Sequence, residues 1–224
     1  MEAESYRKLC LKQQSELRKL MKDPNQHIEA MQLFFSQHAM LHSAIMAGTE
    51  PWSFEDEVLD DLSGAEIRRV PKNQDHSVAW NIWHIARIED VAMNLLVAGS
   101  PQVFIQDKWL ERLQINVRDT GNAMSPKGVE ELSASIDIEG LREYRVAVGR
   151  RTRSIVAELQ PEELRSKVEP PRLQRVLDEG AVVEAAKGLT EYWGRRDIVG
   201  LLLMPASRHM LVHLNECLKI KRKR

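Results

Sequence analysis

The sequence lacks a charge excess, a cysteine framework and any long apolar run. Its 32 Lys and Arg residues nearly cancel its 33 Asp and Glu, leaving a formal net charge of −1. Nucleic-acid binders usually carry a clear basic excess or stripe, so the composition argues against a nucleic-acid partner. The one basic run, Lys219 to Arg224, reads as a solvated helix end whose cations suit a helix C-terminus. Cys10 and Cys217 are far apart and make no disulfide framework, which predicts a reducing compartment. The longest apolar stretch, near Val199 to Met204, is far too short to cross a bilayer. The opening MEAESYRKLC has no apolar core of a secretion signal. The expectation is a cytoplasmic protein with no membrane partner. No run of alternating β-branched residues and no internal repeat stands out.

What is present is an ordinary globular balance. Of 224 residues, 43% are apolar and 29% charged, too apolar for disorder. A chain of this length can bury a substantial core without disulfides or a structural metal. A bound metal would therefore serve chemistry rather than rescue a weak fold.

Periodicity and stop signals predict an all-α protein. A polar helix is expected over Glu2 to Lys22, with Leu9, Leu17, Leu20 and Met21 as a thin apolar stripe. Asp23-Pro24-Asn25 then closes it. A second helix is expected from about Gln26 to Ala47, burying Ile28, Met31, Phe34, Phe35, Leu41 and Ile45, with Gly48 as its cap. Residues Pro51 to Gln74 read as a short helix and a polar loop. Asp75 or Ser77 can cap a third long helix that ends at Gly99-Ser100-Pro101. A helical stretch at Gln106 to Ile115 and a loop at Asn116 to Lys127 follow. A fourth long helix is expected from about Asp137 to Leu159, and an irregular region with short helical turns from Pro170 to Gly194. The last helix should start near Pro205, a good first-turn residue. Four long amphipathic helices joined by connections of mixed length point to a four-helix bundle. The whole chain, 1–224, is expected to form one domain: a peripheral helix over 1–25 and a bundle over 26–222, with an insertion at about 162–200.

The chemistry-bearing residues are histidines. His38/His42 and His209/His213 each stand four apart on a predicted helix. Such a pair shares one face and can present two neighbouring ligands to one ion. A third ligand must come from another helix, and His84 is the natural candidate. Three histidines with open positions describe a catalytic metal site rather than a closed structural one. The bland alternative is two unrelated histidines on a half-buried face, and that reading is preferred for His38/His42, beside a substrate-facing role. Around His209/His213 the context is apolar, and buried histidines need partners.

Two stretches, HSVAWNIWHIARIED (76 to 90) and MPASRHMLVHLNEC (204 to 217), together resemble the DinB/YfiT-like superfamily. Its members have one histidine on the second bundle helix and an H-x-x-x-H pair on the last. In this chain that pattern falls on His84, His209 and His213. Trp83, Ile85-Ala86 and Glu89 surround the first, while Arg208, Leu214 and Glu216 surround the pair. The likeness covers about Gln26 to Lys219, and the chain is longer than typical members. The resemblance implies a four-helix bundle, a bound divalent metal (often nickel or zinc) and frequent homodimers. Relatives include S-transferases that use small thiols such as bacillithiol, a mycothiol-dependent isomerase and assigned metal-dependent hydrolases. Many members have no known reaction, so the resemblance leaves open whether this chain is an enzyme.

The chemistry is coherent from the residues upward. Neutral imidazoles suit Zn, Ni and Fe(II) and leave the ion its full charge. Such an ion acidifies a bound water or holds a thiolate ready to attack. The reading is a metal-dependent enzyme acting on a small molecule, with S-transfer or hydrolysis as the reaction. The alternatives are a non-catalytic metal-binding bundle and a stress-related interaction protein. Glu216 shares the face of His209 and His213 and is the candidate catalytic carboxylate; its bland reading is a surface pair with Lys219 or Lys223. Trp83, His38, His42 and Arg208 are the candidate pocket residues, although an aromatic at helical spacing is more often core and a surface ion pair is the safer reading of Arg208. Glu89 is an outer-sphere or helix-pairing candidate. Cys217 reads as a small buried side chain before it reads as a ligand.

Overall fold

A computed structural model describes residues 3–48, 52–72 and 75–223. The expected residues Glu2, Pro51, Gln74 and Arg224 lie outside that set. The protein is all-α: among the described residues there is no strand, only one isolated bridge between Lys167 and Asp197.

Helix α1 spans Ala3–Leu20 and α2 His27–Leu41. Leu17 and Met21 are buried as expected, joined by Cys10 on the same stripe. The helix expected to reach Ala47 instead breaks at His42, whose backbone is extended (φ −111, ψ 169), and resumes as one turn, Ala44–Ala47. Gly48 caps that turn in the left-handed region at φ 64. The break is held from outside. Ser53 Oγ donates to the His42 carbonyl at 2.6 Å, and the Ala44 N–H donates to Asp56 Oδ2 at 2.7 Å. Ile28 and Ile45, expected on the buried face, are 69% and 75% exposed: Ile28 lies in the first turn of α2, and Ile45 lies beyond the break, which takes it off the face of α2.

Helix α3, Phe54–Leu59, starts at the Ser53 cap. Helix α4, Val78–Asp90, begins where Ser77 Oγ accepts from the Trp80 N–H, and continues as a wider π-helical segment, Val91–Ala98, to Gly99 at φ 66. Every residue from Val78 to Val97 is buried, so this is the central rod. The stretch expected as one helix near Gln106 to Ile115 is two turns, Val103–Gln106 and Trp109–Arg112, parted by Lys108 at φ 54. Helix α5, Pro126–Ser135, starts inside the stretch expected as loop to Lys127 and runs on through residues given no element from sequence, although Ser125 as cap and Pro126 at the first position are strong start signals.

Helix α6, Ile138–Glu158, is capped by Asp137 as its sequence suggests. The region expected as irregular contains α7, Pro170–Asp178, and a turn at Gly188–Gly194. The final helix begins earlier than Pro205. Asp197 caps α8, Ile198–Leu203, a π-helical turn covers Met204–Arg208, and α9 runs His209–Lys221. Pro205 therefore sits inside a helical run. It has no N–H to give, and the wide turn absorbs that defect without ending the helix.

Helices α4 and α9 touch each other, α6 packs on α4, and α2 packs on both α6 and α9. These contacts close a ring of four long helices. Helix α1 lies against α2 from outside, and α7 lies against Val91–Ala98.

Candidate metal centre

Helix α4 supplies His84 and helix α9 supplies His209 and His213. Their ring centroids form a tight triangle: 4.5 Å between His209 and His213, 5.0 Å from His84 to His209 and 4.9 Å from His84 to His213. One nitrogen of each ring lies within 4.8 Å of the others, so the group could hold a metal ion. The wide turn at Met204–Arg208 directly precedes His209 and sets the face that α9 presents to α4.

Hydrogen bonds fix the rings' protons. His84 Nδ1 lies 2.6 Å from the Thr120 carbonyl oxygen, which only accepts, so Nδ1 carries the hydrogen and Nε2 keeps the lone pair. Asn81 Nδ2 donates to the Ser77 carbonyl at 2.9 Å, which turns Asn81 Oδ1 toward His213. His213 Nδ1 donates to that oxygen at 2.7 Å and lies 3.0 Å from Glu216 Oε2, so its Nε2 is likewise left for a ligand role. Ligating histidines usually have their second nitrogen anchored in this way. His209 Nδ1 is buried with no hydrogen-bond partner among the described residues. An orphaned buried nitrogen within a neutral donor set fits a borderline divalent ion.

The electrostatics keep His84 and His209 neutral. Burial, then the His213 ring, pushes His84 down to about 3, against the Thr120 bond that pulls it up. Burial, with His84, His213 and Arg145 adding to it, holds His209 well below its ordinary value. Glu216 is held below the usual carboxylate range by its hydrogen bond to His213. It is partly exposed and stays ionised beside the triad.

Aromatic rings build the wall. Trp80 stacks on His84 at 4.6 Å, and His76 stacks on the far side of Trp80 at 3.7 Å. Trp83 is fully buried against Gly121, where a Cβ would stand 2.6 Å from its ring. That glycine follows Thr120, so the close approach of loop and helix also delivers the carbonyl that His84 uses.

The other candidate residues lie elsewhere. Arg208 lines an outer groove with Leu11, Arg18, Tyr192 and Arg196, in which no residue of the triad takes part. His38 and His42 are fully buried and face Glu89: His38 Nε2 is 2.8 Å from Oε1 and His42 Nε2 is 3.1 Å from Oε2. Arg145 bonds Glu89 Oε2 at 2.8 Å and Glu55 Oε2 at 2.9 Å. His38, His42 and Glu89 are a second group that could hold a metal. Cys217 is buried in the core, where desolvation pushes its thiol up.

Sequence reasoning missed Asn81, Thr120 and His76 at the centre, and Arg145 and Glu55 at the second group. His76, Trp80 and His84 stand at successive i,i+4 positions, a signal that was present. Thr120 and Arg145 come from distant segments and carry no local signal.

These observations define an all-helical protein with histidine groups placed to bind a metal. The profile of the DinB superfamily matches residues 55–184, and the chain belongs to that superfamily. The matched stretch contains His84 and stops before His209, so the pair on α9 is tied to His84 by geometry. No curated protein matches the chain. Among the described residues no helix is long and apolar enough to cross a membrane.

Proposed function

We propose that this protein is a metal-dependent enzyme of the DinB type, holding one divalent ion, nickel or zinc, on His84, His209 and His213. It acts on a small molecule by S-transfer from a low-molecular-weight thiol or by hydrolysis. The observation that carries this reading is the convergence of three imidazoles, two of them with their second nitrogen anchored. An ion held there supplies Lewis acidity, which makes a water or thiol nucleophilic near neutral pH.

The chain's own residues do the rest. Glu216, ionised and 3.0 Å from His213 Nδ1, stands on the ring edge turned away from Nε2, so it raises that ligand's basicity from behind and does not reach the nucleophile. Its bond to His213 also orients that ring. Trp80 and Trp83 exclude water from the inner side of His84. His76, half-buried over Trp80, stands near Glu216 on the more open side. Arg208 is left to the outer groove and takes no part in this scheme.

The test is elemental analysis of the purified protein beside His84→Ala and His209→Ala, followed by thiol-transfer and ester-hydrolysis assays. Loss of one metal equivalent in each variant, with loss of turnover, supports the reading. Unchanged metal content in His84→Ala contradicts the triad, and full metal without turnover leaves a metal-binding bundle.

A further inference from the structure

We propose that His38, His42 and Glu89 form a second divalent-cation site, separate from the histidine triad and closed inside the protein, suited to a borderline ion such as Zn2+. The donor atoms lie within 4.8 Å of one another, and no side chain of the group reaches solvent. The ring centroids of His38 and His42 are 4.2 Å apart, closer than those of His209 and His213 at 4.5 Å.

The hydrogen-bond accounting asks for an occupant. Neither nitrogen of His42 has a satisfactory hydrogen-bond partner, although Nε2 stands 3.1 Å from Glu89; the approach lacks hydrogen-bond direction. His38 Nε2 already pairs with Glu89 Oε1 at 2.8 Å, so the lone pair that an ion would take is that of His42. A fully buried imidazole left this way carries an uncompensated desolvation cost, and a cation taking a lone pair offsets it.

Charge and shape agree. The single guanidinium of Arg145 is shared between two buried carboxylates, Glu89 and Glu55. Arg145 also fixes the Glu89 carboxylate, the part an outer-sphere partner plays. Gly149 makes room for the His42 ring, since a Cβ there would stand 2.7 Å from Nδ1. Glu55 also lines a groove of about 540 Å³ in which the carboxylates Asp56, Asp107, Glu139 and Glu143 face Arg112, Arg142 and Arg150, a mixed and only mildly acidic approach. Bound ion would tie α2 to α4, and full enclosure makes its role structural, in contrast to the triad.

Zn2+ alone is the probe. Chelator-stripped full-length protein is loaded with Zn2+, desalted, and its zinc counted. Wild type is expected to retain two equivalents, and His209→Ala and His42→Ala one each. A single equivalent in wild type that vanishes in His209→Ala would overturn the second site. So would an unchanged zinc count in a folded His42→Ala. If His42→Ala fails to fold, the count in His209→Ala decides, because that variant leaves the second group intact. Zinc lost in His42→Ala and kept in His84→Ala would uphold this site while striking down the triad.

Discussion

Asn81 Oδ1 lies 2.7 Å from His213 Nδ1, one helix reaching across to orient the imidazole of another. Asn81 is itself anchored one turn back, on the Ser77 carbonyl. The imidazole is therefore aimed before any ion arrives. Replacing Asn81 with Ala should weaken metal binding by roughly 10- to 100-fold, measured by competition with a chromophoric chelator. Asn81→Asp should lose less, because a carboxylate still accepts from Nδ1. Equal affinity in wild type and Asn81→Ala would remove the orienting role.

Acid should destabilise the metal-free protein. His42 and His84 are each pushed down to about 3 from 6.5, chiefly by burial. The folded state keeps them neutral while the unfolded chain protonates them as pH falls through 6.5. Each ring then removes about 1.4 kcal/mol per pH unit. Glu55 and Asp90, raised by burial, act in the opposite sense and flatten the fall at lower pH. Urea unfolding of chelator-stripped protein at pH 7.0, 6.0 and 5.5 checks this, and constant stability over that window would refute it.

Removing Arg145 should be severe. Its guanidinium bonds Glu55 and Glu89, both buried, and also the Leu41 carbonyl at 3.2 Å. Arg145→Ala leaves those carboxylates without their cation, a loss of roughly 3–5 kcal/mol. Denaturant midpoints measure it. Adding Glu89→Gln to that variant should recover part of the loss, and strict additivity of the two changes would count against the network.

Gly121→Ala should act on both fold and site. A Cβ there meets Trp83 at 2.6 Å, and the backbone stands at φ 79. The expected cost is roughly 1–3 kcal/mol. Because Thr120 carries the carbonyl that binds His84, metal affinity should fall together with the melting temperature. A variant of unchanged Tm would show that loop and tryptophan separate freely.

Local signals carried much of the fold. Ser77 and Asp137 cap their helices, Gly99 ends the central one, and Gly48 closes its turn, each through bonds within a few residues. The i,i+4 histidines and the motif around His84 likewise marked residues that the fold brings together. The break at His42 was illegible because the atoms that stabilise it belong to Ser53 and Asp56. Pro205 misled for a related reason. A proline that opens a helix and one absorbed by a wide turn look alike in sequence. The partnership of His38 and His42 with Glu89, rather than with a substrate, depended on which face α4 turned inward.

The π-helical turn at Met204–Arg208 makes the spacing there more exacting than the residue types. An α-helix advances about 100° and 1.5 Å per residue. The wide turn holds one residue more than an α-turn would, so deleting one residue between Leu203 and His209 should close it to α geometry and leave both imidazoles near their bearing, whereas inserting one should swing them off it together. The same donors, carried on a chain one residue longer, would no longer meet His84.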